Sequence, residues 1–346
     1  MKRPTVADLA RHAGVSIATV NRLLHGSATV KPSTVERIIE AAHEIGFYGL
    51  QTLKSRKKDH LPSVRFGFLM QQKHRPIYQL WAQGVVDASL SSPSANIEPR
   101  VRFEENLAPD VIAASLKALA KEADAVAVIT ADHPLISQAI DELRTQGIPV
   151  IAYISDLSAA NRAGFVGTDN WKAGRTAAWF LTQLTAFKGN ICPLIGSHRY
   201  QCQDIADASF RSYAREHAPE STVHETLLTH EIPENAYTQV KRLLKQDPNL
   251  TGLYVNGGGI SGVLQARSEL SKRRQQELKI ICRDLGPQTR RGIAEGHIMA
   301  AFPHPVQRIS EELIDVMLTL VQGHNPIGIQ QRLVPFEVIT PESIWN

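Results

Sequence analysis

Cysteine, aromatic residues and long apolar runs are scarce in this chain of 346 residues. Cys192, Cys202 and Cys282 form neither a Cys-x-x-Cys pair nor a metal-binding spacing, so a disulfide-rich scaffold is excluded and a reducing compartment is expected. No stretch approaches the roughly 20 apolar residues of a membrane span. The N-terminus lacks the apolar segment of a signal peptide. We therefore expect a cytoplasmic protein without a membrane segment.

Sequence motifs of the common enzyme classes are also missing. Three glycines at 257–259 follow a predicted strand, but no Gly-x-Gly-x-x-Gly fingerprint has an acidic residue at the required distance. Walker A, Gly-x-Ser-x-Gly and His-Glu-x-x-His sequences do not occur. His133, His198 and His304 can meet in a cleft, but spacing alone does not predict an acid–base triad. We predict no catalysis, no cofactor and no metal site.

Positive charge is concentrated near the N-terminus. Residues 1–60 hold ten Lys or Arg and five Asp or Glu, an excess of +5, whereas the remaining 286 residues sum to −1. The overall composition, 43% hydrophobic and 21% charged, is that of an ordinary globular protein. A basic segment on a near-neutral body favours a polyanionic partner for that segment, and a solvated basic face is the alternative.

Three short helices are predicted within residues 1–48. Apolar residues recur at helical spacing in 6–13, 17–25 and 32–45, and Gly14, Gly26 and Gly46 mark the helix ends. Thr5 and Asp8 have the spacing of a capping box. Two short helices around a glycine turn, with a third to complete the core, form a helix-turn-helix layout.

The second helix has one apolar face and one face without a packing role. Val20, Leu23 and Leu24 share the inward side. The outward side carries Ile17, Ala18, Asn21, Arg22 and His25. Small apolar side chains can approach a thymine methyl group, and an arginine can pair with guanine through two hydrogen bonds. Ser16, Thr19 and the helix N-terminus can bind phosphates.

The stretches VADLARHAGVSIATVNRLLHG and VERIIEAAHEIGF resemble the DNA-binding headpiece of the lactose/galactose repressor family. The resemblance implies that Ile17, Ala18 and Arg22 read bases. It also implies a set of side chains that contact or face the DNA backbone, namely Thr5, Ser16, Thr19, Asn21, His25 and Thr34. Lys31 stands where the family usually has a Ser or Thr that caps the third helix, so we expect a weaker cap or a phosphate contact there.

Residues 49–62 form a polar and basic linker that ends before the first strand. In the family this segment folds on the operator and inserts a leucine into the minor groove. Leu53 is our first choice for that wedge and Leu50 the second. The usual sequence of this hinge is absent, however, so a flexible basic tether stays an open alternative.

Residues 63–346 alternate between apolar runs and helical patterns, which predicts parallel sheets covered on both faces. Strands are predicted at 64–70, 99–104, 125–130, 148–153, 163–168, 189–195, 251–255 and 278–283. Helices are predicted at 77–90, 108–121, 134–146, 171–187, 205–217, 234–246 and 305–322. The number of strands favours two lobes with a ligand between them.

This core also resembles that of the same family, which is shared with periplasmic sugar-binding proteins, through motifs such as GFVGTDNWKAGRTAAWFL and IAEGHIMAAFPHP. The expected fold class is α/β, with an all-α helix-turn-helix headpiece and a two-lobed, doubly wound core like type I periplasmic binding proteins. Crossings between lobes are expected near 165–169, 302–305 and 326–328. Lobe 1 would hold approximately 63–168 and 305–327, and lobe 2 approximately 169–304 and 328–340.

Ten side chains at strand ends or in nearby loops are candidates for effector contact. They are Arg75, Ile77, Tyr78, Ser155, Asp156, His198, Arg199, Asn256, Asp284 and His304. The alternative for an Asp or Asn at such a place is a loop cap. Sugar-binding relatives have an Arg where this chain has Ala206. Either Arg199 or Arg75 takes over that role, or the effector is not a typical free sugar.

Together these patterns predict a DNA-binding transcriptional regulator, with release from DNA by a sugar-like effector as the expected behaviour. A homodimer on a palindromic operator is expected, because one short helix covers too few bases. A tetramerising tail is not visible. Three alternatives are an enzyme, an exported solute receptor, and a DNA-binding protein whose core takes a non-sugar co-repressor or a partner protein.

Overall fold

The computed structural model describes residues 3–26, 30–53, 61–323 and 328–344. The chain forms two compact units, Met1–Arg65 with Ser89–Glu98, and Phe66–Ala88 with Pro99–Asn346. The first contains the headpiece and the second contains most of the core. No helix within the described ranges has both the length and the apolar character needed to span a bilayer.

The headpiece contains α1 (Val6–His12), α2 (Ile17–His25) and α3 (Pro32–Glu44). Thr5 and Asp8 form the predicted capping box at the start of α1, and the Ser16 side chain caps α2. Gly26 ends α2 with a φ of 64°, in the left-handed region that favours glycine. Lys31 precedes α3 without a side-chain capping hydrogen bond, as expected from a residue with no acceptor.

The structure places Leu53 in the core of the headpiece. Residues 50–53 have helical backbone, and Leu53 is fully buried in the headpiece core with Leu9, Val20 and Leu23. To enter a DNA groove Leu53 would have to leave this core, so its role as the wedge stays a prediction. Leu50 is half-buried against the same core. Residues 54–60 of the predicted linker lie outside the described residues.

Lobe 1 is built on a six-stranded sheet with the order β11-β5-β4-β3-β1-β2. Its strands are β1 (Ser63–Gln71), β2 (Asn96–Glu104), β3 (Ala125–Val128), β4 (Val150–Tyr153), β5 (Gly164–Thr168) and β11 (Gln330–Val334). Its helices are α4 (Pro76–Leu90), α5 (Pro109–Ala120), α6 (Pro134–Thr145) and α13 (Val306–Val321). The pairs β1–β3, β3–β4, β4–β5 and β5–β11 are parallel.

Lobe 2 is built on a five-stranded parallel sheet with the order β10-β9-β8-β6-β7. Its strands are β6 (Asn190–Ile195), β7 (Leu227–Leu228), β8 (Leu250–Val255), β9 (Lys279–Cys282) and β10 (Ala300–Ala301). Its helices are α7 (Asn170–Leu184), α8 (Gln201–His217), α9 (Pro233–Gln246), α10 (Ile260–Ser268), α11 (Lys272–Glu277) and α12 (Pro287–Ala294).

Both faces of the lobe 2 sheet are covered. Successive residues of a strand point to opposite faces, and Leu253 and Tyr254 of β8 belong to two separate buried clusters. Leu253 packs with Val240 of α9, whereas Tyr254 stacks on Phe210 of α8 with ring centroids 5.4 Å apart. The continuous apolar strands seen in the sequence therefore reflect burial on both sides.

Within the described residues, the chain passes between the lobes at three places. The first crossing joins β5 to α7 around Asp169, and the second joins β10 to α13 between Phe302 and Pro305. We expected the third crossing near 326–328. This prediction is wrong, because β11 pairs with β5 in the lobe 1 sheet. The chain reaches lobe 2 only afterwards, where Ile339 pairs with Ala301. Residues 328–334 thus belong to lobe 1.

The sequence patterns did not predict several short strands. Strands β7 and β10 have only two residues each, too few for a periodic signal. Strand β11 reads QQRLV, and its middle residues are exposed because it lies at the edge of its sheet. An edge strand can remain polar on its uncovered surface, so its sequence resembles a loop.

Candidate DNA-reading surface and effector cleft

Helix α2 exposes the side chains that its sequence assigned to the outside. Ile17 is 51% exposed although it is a large aliphatic residue, and Val20 and Leu23 are fully buried on the opposite side. The other outward residues that are exposed are Ser16, Ala18, Asn21, Arg22 and His25. Thr19 is half-buried. The helix therefore offers a mixed polar and apolar surface that the headpiece does not use for its own packing.

The turn before α2 is held by an arginine of α3. The guanidinium of Arg37 donates to the carbonyl oxygens of Ala13 and Gly14 at 2.7 and 3.0 Å. Gly14 has a φ of 62°, which an L side chain would adopt only with strain. This contact fixes α2 relative to α3, so the outward side chains are presented on a rigid support.

The side chain of Arg22 lies along the outer surface of its own helix. Its guanidinium donates to the Ala18 carbonyl and to the Thr19 hydroxyl, each at 3.3 Å. These long contacts at an exposed site are weak, so the group can exchange them for acceptors on a base. Thr5 and Lys31 are exposed and Thr34 is half-buried near the helix starts.

The core contains a cavity of about 70 Å³ between its lobes. It is lined by Arg75, Ile77, Tyr78, Trp81, Ile154, Cys202, Gln203, Glu231, Asn256, Gly257, Gly258, Arg283, Asp284 and His304. Six of the ten predicted effector residues are among them. A groove of about 780 Å³ shares Ile77, Trp81, Asp284 and His304 with this cavity. The strand ends thus converge as expected for an α/β protein.

An ion pair joins the lobes across the cleft. Arg75, between β1 and α4, donates from its guanidinium to the carboxylate of Glu231, which follows β7. The other Glu231 oxygen accepts from the Gln203 amide at 2.9 Å. The Arg75 guanidinium also lies over the Tyr78 ring, 5.2 Å from its centroid. Charged groups of both lobes therefore occupy the space that a ligand would need.

Further hydrogen bonds hold the lobes against each other. Gln71 of lobe 1 accepts from the hydroxyls of Tyr78 and Tyr200 at 2.7 and 2.9 Å, and Tyr200 belongs to lobe 2. The Ser155 hydroxyl accepts from the amide of Cys202 at 3.3 Å. Since ligand pockets usually have about 300 Å³ or more, the inner cavity of about 70 Å³ is too small for a ligand unless these side chains move.

Two residues that line the cavity have strained backbone. Ile154 and Glu231 have φ angles of 67° and 60°, in the left-handed region. For a β-branched residue such as isoleucine this conformation is a genuine outlier. Strained residues cluster at functional sites, where the surrounding structure maintains them. Both strained positions are therefore consistent with a ligand site in this cleft.

Burial shifts the titration of several cleft groups. The pKa of Tyr78 is raised well above its usual value by burial and then by the Glu231 charge, so its hydroxyl stays protonated. Burial raises the pKa of Asp284, whose side chain accepts from Thr289 at 3.1 Å. The pKa of His304 is lowered well below its usual value by burial and then by Arg283, so the ring is neutral near pH 7.

Four of the predicted effector residues do not line the cavity. Ser155 is buried in the contact between lobes described above. Asp156 is held by Arg162 of its own lobe at 2.6 and 2.9 Å. His198 is exposed and contacts Asp204, and Arg199 lines a separate surface depression. Of the two arginines considered as substitutes for the missing clamp, only Arg75 lines the cavity.

Sequence reasoning missed Trp81, Gln203 and Glu231. Glu231 follows a strand of two residues that the pattern did not reveal, and it is 156 residues from Arg75 in the chain. Gln203 and Trp81 look like ordinary helix residues. The indole nitrogen of Trp81 is buried and has no hydrogen-bond partner within the described residues. Buried indole N–H groups usually have a partner, so this one can serve an acceptor on a ligand.

The described ranges contain no group of three or more His, Cys, Asp or Glu side chains placed to hold a metal ion.

Comparison with known families agrees with this division of the chain. Residues 5–49 match the family of bacterial regulatory proteins, lacI family, and residues 66–325 match the periplasmic binding protein domain. Catabolite control protein A of Priestia megaterium is 23% identical over 155 residues, which is 42% of each chain. The HTH-type transcriptional regulator MalR of Streptomyces coelicolor is 26% identical over 184 residues, 52% of this chain and 50% of that protein. These alignments span half or less of the relatives.

Solved structures resemble the core. GanP, a glucose-galactose binding protein from Geobacillus stearothermophilus, has a TM-score of 0.73 and 20% identity, covering 81% of this chain and 98% of its own. A solute-binding protein from Actinobacillus succinogenes with bound D-allose has the same TM-score and 18% identity, covering 81% and 99%. The predicted α/β fold, with its two-lobed core, is thereby confirmed.

Proposed function

The chain belongs to the lacI family of bacterial regulatory proteins, with a periplasmic binding protein domain as its core, and on this premise we propose that it is a sequence-specific DNA-binding transcriptional regulator. A small metabolite bound between the two lobes controls its affinity for DNA. The expected behaviour is repression that the metabolite relieves. The protein works in the cytoplasm, without catalysis and without a cofactor.

The observation that carries the DNA-binding half is the outer face of α2. Ile17 and Ala18 expose apolar surface at the helix N-terminus, and Arg22 is exposed one turn later. This arrangement suits a helix whose first residues contact base edges in the major groove. Thr5, Ser16, Thr19, Asn21, His25, Lys31 and Thr34 are proposed to bind or orient towards phosphates, which positions the helix without reading sequence.

A homodimer is proposed because a single helix covers too few base pairs for a specific site. Two headpieces related by a twofold axis would read a palindromic operator with half-sites about one helical turn apart.

The proposal that the core binds an effector rests on the residues that line the cleft. Arg75, Glu231, Asn256 and Asp284 supply donors and acceptors, and Tyr78 and Trp81 supply aromatic faces. Such a combination suits a sugar, which has both hydroxyl groups and apolar C–H faces. GanP, whose fold the core resembles, is described as a glucose-galactose binding protein. We therefore propose a sugar or sugar-like effector.

A second candidate is a core that binds a non-sugar metabolite as co-repressor, or a partner protein. Two observations favour it. Ala206, at the position where sugar-binding relatives have an arginine, is fully buried in lobe 2, and Arg75 is engaged by Glu231. A ligand must therefore compete with Glu231 for the arginine that remains.

The experiment starts from DNA fragments of the source genome, selected with the full-length protein. Binding to the selected fragment is then measured with and without a panel of monosaccharides and sugar acids. We expect one compound to change DNA affinity by about 5- to 150-fold, the usual range of allosteric coupling. The same compound at 100 times its Kd should stabilise the protein by about 2.7 kcal/mol.

Asp284→Ala is the matched variant, because it removes a carboxylate from the cleft and leaves the headpiece unchanged. It should keep its DNA affinity and lose the response to the compound. A dose–response curve equal to that of the wild type would remove Asp284 from the site. A non-sugar hit from a wider metabolite panel would favour the second candidate.

A further inference from the structure

The three crossings between the lobes meet at one buried arginine. Arg283 follows β9 in lobe 2 and is only 6% exposed. Its guanidinium donates to the Phe302 carbonyl in the second crossing and to the Thr168 hydroxyl at the first. It also contacts the Asn170 side-chain oxygen at 3.3 Å. A single side chain therefore holds two of the three segments by hydrogen bonds.

The third crossing contacts the same group through an aromatic ring. The Arg283 guanidinium lies over the ring of Phe336 at 5.9 Å from its centroid, within the range of a cation–π contact. Phe336 also packs against Phe302, with ring centroids 5.7 Å apart. The amide of Glu337 donates to the carbonyl of Pro303 at 3.3 Å, which joins the second and third crossings directly.

Burying the charge of Arg283 at this position has a high cost in free energy. Within the described residues it forms no ion pair with a carboxylate, and its partners are a carbonyl, a hydroxyl, an amide oxygen and a ring. Burying a charge is costly unless it is well paired, and apolar residues of similar volume often stabilise a core better. Stability alone therefore does not account for an arginine here. The geometry of the guanidinium does account for it, because its several donors are fixed in one plane and reach several acceptors at once.

This junction also adjoins the cleft. Arg283 itself lines the cavity, and the next residue is Asp284. The Thr168 hydroxyl that Arg283 contacts is 3.2 Å from the ring of His304, which packs edge-on against Trp81 with centroids 5.8 Å apart. A ligand that touches Asp284, His304 or Trp81 is thus one contact away from the segments about which the lobes move.

We propose that Arg283 is a positioning residue that ties the three crossings together, so that a movement of one lobe in response to a ligand is shared by all three. The role in the response rests on the proposed function. The linkage of the three crossings by Arg283 does not rest on the proposed function, because it can be observed without DNA and without an effector.

Hydrogen exchange of the full-length, ligand-free protein tests the tie at one amide in or next to each crossing. The amides of Ala173, Phe302 and Ile339 donate to Asp169, Cys282 and Ala301 at 3.0, 2.9 and 2.8 Å. In Arg283→Met we expect protection at all three to fall together, by about tenfold or more. The amides of Val126 and Asn190, within the separate lobes, should keep their protection.

Arg267→Met is the matched control. Arg267 is another buried arginine of lobe 2, 7% exposed, and its guanidinium donates to Gln275 rather than to a crossing. Its removal should leave the amides of Ala173, Phe302 and Ile339 unchanged. Equal effects of the two variants, or unchanged protection in Arg283→Met, would overturn the proposal.

Arg283→Lys keeps the charge but has a single terminal nitrogen, so it provides a test if Arg283→Met does not fold. Thr168→Val, which removes a hydroxyl of the first crossing together with its contacts to Arg283 and His304, should lower protection of the Ile339 amide in the third. In the Arg283→Lys background this remote effect should vanish. An effect of the same size in that background would show that the coupling does not pass through the guanidinium, and would overturn the proposal.

Discussion

The two candidate sites differ in how their polar groups are used. On the headpiece, Ile17, Asn21 and Arg22 are exposed and make only weak contacts or none that stabilise the fold. In the core cleft, Arg75 and Glu231 pair with each other across the lobes. A surface of the first kind is ready to bind a partner as it stands. A site of the second kind must exchange its own contacts for those of a ligand, so binding there is coupled to movement.

The largest expected effect comes from breaking the pair in the cleft. Arg75→Met leaves the partly buried Glu231 with only the Gln203 amide as a partner. Removing one member of a buried pair costs about 3–5 kcal/mol, and partial exposure should place this case near the lower end. Urea denaturation measures the loss.

The double variant Arg75→Met, Glu231→Leu serves as the control for that prediction. It removes both charges, so a large part of the stability should return. If the single variant is as stable as the wild type, the pair does not hold the cleft closed.

Alanine substitutions on the inner face of α2 should lower stability, whereas those on the outer face should weaken DNA binding. Leu23→Ala removes a fully buried side chain and should destabilise the headpiece by about 2–5 kcal/mol. Ile17→Ala changes a side chain that is 51% exposed, so stability should change by no more than about 0.5 kcal/mol while DNA binding weakens. Circular dichroism melting and fluorescence anisotropy with a selected fragment separate the two effects. Equal stability losses would contradict the assignment of faces.

Arg22→Ala should relax the base preference at one operator position and cost about 1–3 kcal/mol of binding free energy there. The physical reason is the loss of a bidentate contact to a guanine. Affinities for a set of single-base variants of the selected fragment measure the effect. A uniform loss on all sequences would show that Arg22 contacts phosphate.

The smallest expected effect is the dependence of stability on pH that His304 of the core causes. Since burial depresses the folded-state pKa of His304, the unfolded chain binds a proton below pH about 6.5 that the folded protein does not bind. Stability should fall as the pH drops below that value, by at most about 1.4 kcal/mol per pH unit. Urea denaturation at pH 7.5 and pH 5.5 measures the fall.

His304→Asn is the control for the pH dependence, because it removes the titrating ring and leaves Asp284 in place. The raised pKa of Asp284 acts in the opposite direction, and it does so in both proteins. The difference between their slopes therefore belongs to His304. Equal slopes would mean that the ring is not buried in its neutral form.

The same contrast explains what the sequence could predict. The outward face of α2 follows from the positions of Val20, Leu23 and Leu24 alone, because a helix of nine residues fixes which side chains share a face. The cleft depends on contacts between distant segments. Arg75 was predicted from a strand end, but its partner Glu231 follows a two-residue strand with no periodic signal.

The prediction of the third crossing was wrong, and the burial of Leu53 was not foreseen, for a related reason. Nothing local distinguishes a leucine that enters a groove from one that completes the headpiece core, where Leu53 lies. The polar strand β11 looks like a loop until its pairing with β5 is known. Local patterns thus predicted elements and faces well, whereas register and pairing required the tertiary structure.

The most direct test compares the affinity of the full-length protein for a selected genomic fragment with its affinity for random duplex at physiological salt. We expect a ratio of about 10³ or more, the usual range for specific regulators. We also expect Ile17→Ala and Arg22→Ala each to reduce this ratio. Equal affinity for both duplexes, with and without added metabolites, would contradict the claim that the outer face of α2 reads DNA sequence.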